Sequence, residues 1–301
     1  MLLHCLETAV LFFVSLLGFS VNSYFVYKIL STRVAINSFQ KLCFVKAFSN
    51  AVISLTIIVW AVPLSAFLIE TNGFWRNVNV GISELVASGG YIFGPLCQIL
   101  MAANRVIIMY FPFWRMKISR FPSTNVAVFV CAFVSLYCSV AGMRGPCVLT
   151  YHPDTLAWSP ELSTCTDSMD GLQLPIIILL TMVSIIFNFI AAFKLIYDKV
   201  AGISDVQKLK RRNKWLLNFI QNVIQDALHV IDMINYTFIY KLKDAEWFQF
   251  IFLSLSFALI YALDGLVMTH FHVFQQQKRT IPKFKIGAPM GTIAITSPRQ
   301  I

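Results

Sequence analysis

The feature that most constrains this chain is a succession of apolar runs, each about as long as a helix that crosses a bilayer. They lie at Leu11–Leu30, Leu42–Leu68, Gly81–Phe111, Asn125–Ala141, Leu174–Tyr197, Leu216–Tyr240 and Phe248–Phe271. A hydrocarbon core roughly 30 Å thick takes about 20 residues of α-helix to span. A membrane barrel needs segments of about ten residues with alternating polarity. These runs are continuous and helix-length, so the expected fold class is an all-α integral membrane protein, a bundle of seven transmembrane helices. Composition agrees: 57% hydrophobic and 13% charged residues give a mean hydropathy of +0.71. A soluble domain of this size has no interior large enough for that much apolar surface.

The first run is longer than the core of a secretion signal, has no Lys or Arg before it, and lacks a small-residue cleavage site, so it reads as a retained anchor. Pro63, Pro95 and Pro175 fall inside runs and are expected to kink helices rather than end them. The seven Cys contain no CxxC pair. Cys43, Cys97, Cys131 and Cys138 lie in apolar runs and read as small packed residues, while Cys147 and Cys165 share a polar stretch and Cys5 has no obvious partner.

The net charge of +10 raises two possibilities, a nucleic-acid binder or a membrane protein with its bases on one side. Placement decides. The dense clusters, Arg105 to Arg120, Lys194 to Lys214 and Lys278 to Arg299, share one side of a seven-span chain with Lys28, Arg33, Lys41 and Lys46. Only Arg76, Arg144, Lys241 and Lys243 fall on the other, where Glu70, Asp154, Glu161, Asp167, Asp170, Asp244 and Glu246 also lie. The basic side is expected to be cytosolic and the amino terminus outside. This gives a short extracellular segment at 1–10, a membrane domain at 11–272 and a basic cytosolic tail at 273–301. The bases are dispersed over loops rather than gathered in an aromatic-laced stripe, so the lipid bilayer is an expected partner and nucleic acid is not.

Polar side chains inside apolar runs are costly and face the bundle interior. Asn22, Asn50 and Asp264 lie in the first, second and seventh runs. They can hold three helices together, or repack as a polar switch, and the two readings are compatible. In the sixth run Gln221, Gln225, His229, Asp232 and Tyr236 recur at spacings of four, four, three and four, which is one helical stripe. That stripe is either interhelical glue or the wall of a ligand site. His229 with Asp232 is a thin donor set for a metal, so no metal and no cofactor are expected. The chain has no GxSxG, HExxH, GxxxxGK[ST] or Gly-rich dinucleotide fingerprint, and no enzymatic activity is expected. Asn235-Tyr236-Thr237 matches the glycosylation pattern, but inside the sixth run it is out of reach of the transferase.

Met101-Ala102-Ala103-Asn104-Arg105, followed by Pro112, resembles the cytosolic end of the third helix in rhodopsin-like G protein-coupled receptors, with Asn104-Arg105-Val106 in place of Asp-Arg-Tyr. Asn37-Ser38-Phe39 with Leu42-Cys43, then Asn104-Arg105, Phe219 to Asp232, and Ala262-Leu263-Asp264-Gly265 resemble the nematode serpentine receptor class X (Srx) family, up to about Phe271. By position, Asn22 matches the Asn of the first helix, Asn50 ends the Ala47-Phe48-Ser49-Asn50 pattern, and Asp264 replaces the Asn of NPxxY. Gly265 stands for its Pro and Met268 for its Tyr, and the sixth run lacks Cys-Trp-x-Pro. Val80 stands where many receptors have the Cys that ties the third helix to the second outer loop, which leaves Cys147 and Cys165 to staple that loop to itself. Ala87 stands where amine receptors carry an Asp, which argues against a biogenic amine. Asn50 and Gly94 weaken the inner sodium site, although Asp264 retains one acid.

The resemblance implies a chemosensory receptor that binds an extracellular small molecule or short peptide and activates a heterotrimeric G protein. It implies a place in the plasma membrane of sensory neurons and their cilia. Asn104, Arg105 and Pro112 are then the coupling residues. The ligand cavity is expected between the outer halves of the third, fifth, sixth and seventh helices, with Tyr91, His229, Asp232 and Tyr236 on its walls and Glu84 nearer the mouth. The rival reading is a small transporter with a polar mid-membrane site. It calls for paired broken segments related by an internal repeat, and the first three runs do not resemble the later ones.

Overall fold

A computed structural model of the chain describes residues 2–31, 37–69, 71–111, 123–145, 147–161, 166–200, 206–243 and 245–280, with backbone alone over 166–174, 206–211, 214 and 274–280. Each apolar run becomes a helix, and most helices extend past the run that announced them. They are α1 (Leu2–Leu30), α2 (Ser38–Ala66), α3 (Phe74–Tyr110), α4 (Ser123–Arg144), α5 (Thr166–Val200), α6 over residues 206–242 and α7 over residues 246–280. The apolar pattern locates where a helix meets hydrocarbon, whereas the helical hydrogen-bond ladder continues into polar flanks. Thus α1 begins at Leu2 rather than at Leu11, and α3 at Phe74 rather than at Gly81.

Among the described residues, six helices are long and apolar enough to cross a membrane. The remaining one, α6, is as long but too polar, because it buries Asn218, Gln221, Asn222, Gln225, Asp226 and Asp232 against its neighbours. The chain is therefore an all-α bundle of seven membrane helices and a multi-pass membrane protein.

Local chemistry sets several breaks. Asn37 caps α2 through a capping box: Gln40 N donates to Asn37 Oδ1 (3.0 Å), and Asn37 N donates to Gln40 Oε1 (3.2 Å). Pro63 and Pro95 lack a backbone N–H, and each follows a stretch of wide i→i+5 turns, at Ile57–Ala61 and Glu84–Gly90. Pro175 lies inside α5. All three prolines stay within helices.

Around the bundle, α1 packs on α2 and α7, α7 on α6, and α6 on α5, while α3 sits inside against α2, α4, α5 and α6. Close approach uses small residues: a Cβ on Gly18 would come within 2.8 Å of Ser54 Oγ and 3.4 Å of Ala262. Large apolar side chains such as Phe129, Phe133 and Tyr137 of α4 point outward, as lipid-facing residues do.

Between α4 and α5 the chain forms a hairpin that the apolar runs do not announce. Strands β1 (Leu149–His152) and β2 (Ala157–Pro160) pair antiparallel, with Tyr151 opposite Trp158. Leu156 closes the turn at φ 53°, a left-handed conformation that costs a non-glycine residue roughly 1–2 kcal/mol. It holds because Leu156 is buried and its carbonyl accepts from Ser254 Oγ of α7. The hairpin packs into one end of the bundle with Leu11, Ile57, Leu64, Val86, Phe250 and Tyr261. A second core, around Phe25, Ile29, Leu42, Ala47, Met101 and Met268, fills the other end.

Candidate functional site

Between the two cores lies a buried carboxylate cluster. Asp264 of α7 accepts from Lys46 Nζ (2.8 Å) and Asn50 Nδ2 (2.7 Å) of α2, and from Gln225 Nε2 (2.6 Å) of α6. All four side chains are buried. A carboxylate out of water needs compensating charge and donors, and here one ammonium and two amides supply them. Asn22 is adjacent rather than bonded to Asp264: its Nδ2 donates to Gly18 O (2.8 Å) and Tyr261 O (3.0 Å), tying α1 to α7. Its amide lies over Gly265, where a Cβ would approach to 2.6 Å.

Toward the hairpin, α3 and α6 face each other in antiparallel register. Tyr91 Oη donates to Asp232 Oδ2 (2.9 Å), and three residues along α3, Gly94 lies under His229. Ser256 Oγ of α7 donates to Asp232 Oδ1 (2.6 Å), and Asn235 Nδ2 donates to Ser256 Oγ (3.0 Å). Asn235 is thus engaged within the bundle, which fits the reading that its glycosylation pattern is out of reach. A chain of aromatic rings runs on from Tyr91, the ring bonded to Asp232. Phe257 stands between Tyr91 (6.1 Å between centroids), Trp158 of the hairpin (5.3 Å) and Tyr261 (5.1 Å). Trp158 Nε1, Tyr261 Oη and His229 Nε2 are buried atoms with no hydrogen-bond partner among the described residues. Buried polar groups are paired as a rule, so these atoms are free to meet a further partner, as are others elsewhere in the bundle such as those of Gln98. Tyr236 stacks on Tyr240 (6.0 Å).

Glu84 is not brought to Asp232. It is fully buried between α3, α4 and the hairpin, where Oε1 accepts from Leu149 N (2.9 Å) and a Cβ on Gly142 would run into its carboxyl. Its position suits anchoring the hairpin. Asn79 does the same one turn earlier, donating to Tyr151 O (3.0 Å). Outside the bundle Arg76 forks onto Glu161, and this hydrogen-bonded partner holds the Glu161 carboxyl below the usual carboxylate range. Cys147 is disulfide-bonded. Cys165 lies outside the described residues, as does Pro112.

At the far end, Arg105 is 3% exposed, and none of its guanidinium nitrogens has a hydrogen-bond partner among the described residues; its charge lies over the Phe39 ring at 5.4 Å. Neighbouring Asn104 is half-buried with Nδ2 also unpartnered. Nearby, Asp226 of α6 accepts from Ser184 Oγ (2.9 Å), Asn188 Nδ2 and Asn222 Nδ2 (3.4 Å), joining α5 to α6.

The structure therefore divides the single α6 stripe. Gln225 serves Asp264, and Gln221 lies beside it with Nε2 3.5 Å from Gln225 Oε1. Asp232 serves the aromatic site, and His229 lies between. Sequence reasoning missed Lys46, which it placed among the cytosolic bases. The signal was present, since Lys46 lies inside an apolar run and one turn before Asn50. It also missed a second α6 stripe, Asn218, Asn222 and Asp226, spaced by four.

Seven membrane helices with a carboxylate site at one end, an unpaired buried arginine at the other and a polar joint between them follow the plan of a seven-transmembrane receptor of the G protein-coupled kind. The chain belongs to the serpentine type 7TM GPCR chemoreceptor Srx family, whose model matches residues 12–272. No curated protein matches it.

Proposed function

We propose that this chemoreceptor takes up an extracellular small molecule beside Asp232 and passes the event to a heterotrimeric G protein at Arg105. The amino terminus and hairpin then face outward, and the basic loops and tail face the cytosol, in the plasma membrane of a sensory cell or its cilium. The supporting observation is that both helices contacting Asp232 from the α6–α7 side also hold Asp264. One side of α6 carries Gln225, His229 and Asp232 in sequence. On α7, Ser256 bonds Asp232, Tyr261 lends its ring to the upper site and its carbonyl to Asn22, and Asp264 follows one turn later. A solute that shifts α6 against α3 at Tyr91 also loads the Asp264 joint, so a difference in affinity between two packings becomes a difference in population.

Arg105 is the coupling residue in this reading because a buried guanidinium with unused donors stands ready for an acceptor from a partner. The test is a G protein activation assay in cells expressing the full chain, run against a chemical panel. A response that Arg105→Ala abolishes at unchanged surface level supports the proposal. Substrate flux without G protein activation supports the transporter instead.

A further inference from the structure

We infer that the ligand of this site is a protonated amine with a small apolar or aromatic body, recognised by Asp232 and the run of aromatic rings that begins at Tyr91. The inference rests on the proposed ligand site and adds the charge and shape of what enters it.

Asp232 is 3% exposed, and no cation pairs with it among the described residues. Of the other buried acids, Asp264 has Lys46 against it and Asp226 is held by three neutral donors from α5 and α6, whereas Asp232 has two hydroxyls alone. At Asp232 each oxygen receives one hydroxyl, from Tyr91 and from Ser256, which leaves a lone pair on each and no compensating positive charge. A carboxylate with two hydroxyl donors and free lone pairs suits a cationic ligand. Tyr91, bonded to Asp232, leads into a run of rings through Phe257 to Tyr261 and Trp158, and the π faces of such rings favour an ammonium over a strongly hydrated metal ion. No group of His, Cys, Asp and Glu suited to a metal occurs among the described residues. The orphaned Trp158 Nε1 and Tyr261 Oη can donate to a second, neutral polar group on the same molecule.

Ala87 does not supply the acid that amine receptors carry on the third helix. Asp232 supplies it from α6 instead, meeting α3 at Tyr91, one turn beyond Ala87. The loops on the hairpin side hold more acids than bases in sequence, which favours the approach of a cation.

The test uses purified full chain in lipid nanodiscs and one skeleton in three charge states: 2-phenylethylammonium, 2-phenylethanol and phenylacetate. Thermal unfolding is followed as each probe is raised to millimolar concentration. The ammonium should raise the midpoint with an apparent Kd at least tenfold below that of the alcohol, and phenylacetate should give no shift. Asp232→Asn should remove the ammonium's advantage. The charge series on the unaltered protein stands even if that variant fails to fold. Equal effects of ammonium and alcohol, no shift with the ammonium, or an advantage that survives in a folded Asp232→Asn protein each overturn the inference. Because no G protein takes part, failure here is separate from failure of the receptor reading. A cellular response confined to neutral ligands would leave the receptor standing and the amine refuted.

Discussion

Replacing Lys46 with Met, an apolar side chain of similar length, tests whether the Asp264 joint is held by charge. Lys46 Nζ lies 2.8 Å from Asp264 Oδ1, and both groups are nearly inaccessible. At an effective dielectric constant of about 20, two unit charges at that distance attract by about 6 kcal/mol. Dehydrating the two ions costs several kcal/mol each, so the pair adds little net stability compared with an apolar joint. Breaking it is different. Lys46→Met leaves a buried carboxylate with only the amides of Asn50 and Gln225, and should cost about 3–5 kcal/mol. Asp264→Asn leaves a buried ammonium and should cost a similar amount. The double variant has no uncompensated charge and should cost less than either single substitution, far short of their sum. The assay is reversible unfolding in mixed micelles by denaturing detergent, followed by circular dichroism. A cost for Lys46→Met below about 1 kcal/mol, or additivity of the two substitutions, would refute the assignment of charge to this joint.

Gly265→Ala puts a methyl group within 2.6 Å of the Asn22 amide and should destabilise the α1–α7 contact by about 1–3 kcal/mol in the same assay, whereas Gly81→Ala, with open space around it, should stay close to neutral. Glu84→Gln keeps the shape but weakens acceptance from Leu149 N, and should raise hydrogen exchange across β1 while leaving the Asp264 joint unchanged. The Glu161 carboxyl is held below its ordinary range by Arg76, so its stabilising effect is present above the unfolded-state pKa and is lost as pH falls through the lowered folded value; exchange at the hairpin ends should rise only below the usual carboxylate range. Reporters fused at the amino terminus and near Asp154 should be extracellular and those near Lys210 and Lys283 cytosolic, and a Lys210 loop found outside would overturn the proposed orientation.

How far the sequence reaches depends on the kind of force involved. Helix-length apolar runs reflect a solvent that accepts no open backbone, so they identified the seven long helices among the described residues, though not where polar flanks continue them, as at Leu2 and Phe74. The pairing of Asn50 with Asp264 was within reach because buried polar groups in hydrocarbon seek one another. Which of several stripe members would reach it was not, since that depends on helix rotation. Gln225 and Lys46 meet Asp264, while Asn22 stops at the Tyr261 carbonyl. The Trp158 contact was beyond sequence reasoning because a hairpin in a loop folds back across a distance that no local pattern encodes. Glu84 illustrates the same limit: its depth in α3 was legible, but its turn toward Gly142 and Leu149 was set by neighbours distant in sequence.

The hairpin also bears on timing. Trp158 and Asp232 are 8% and 3% exposed, so a molecule bound at Asp232, as proposed, would be enclosed in the bundle at the hairpin end. Entry from the hairpin side has to wait for β1–β2 to lift, which parts the Tyr151–Ser65 contact (2.6 Å), the Leu149–Glu84 bond and the Leu156–Ser254 tether. Association then runs at the collision rate multiplied by the fraction of time the lid stands open, and escape is slowed by the same factor. Affinity would be untouched by that factor, but tempo would not: onset would lag the stimulus and occupancy would outlast it. On the proposed reading, a receptor with this lid would integrate a faint, steady stimulus and filter out brief pulses.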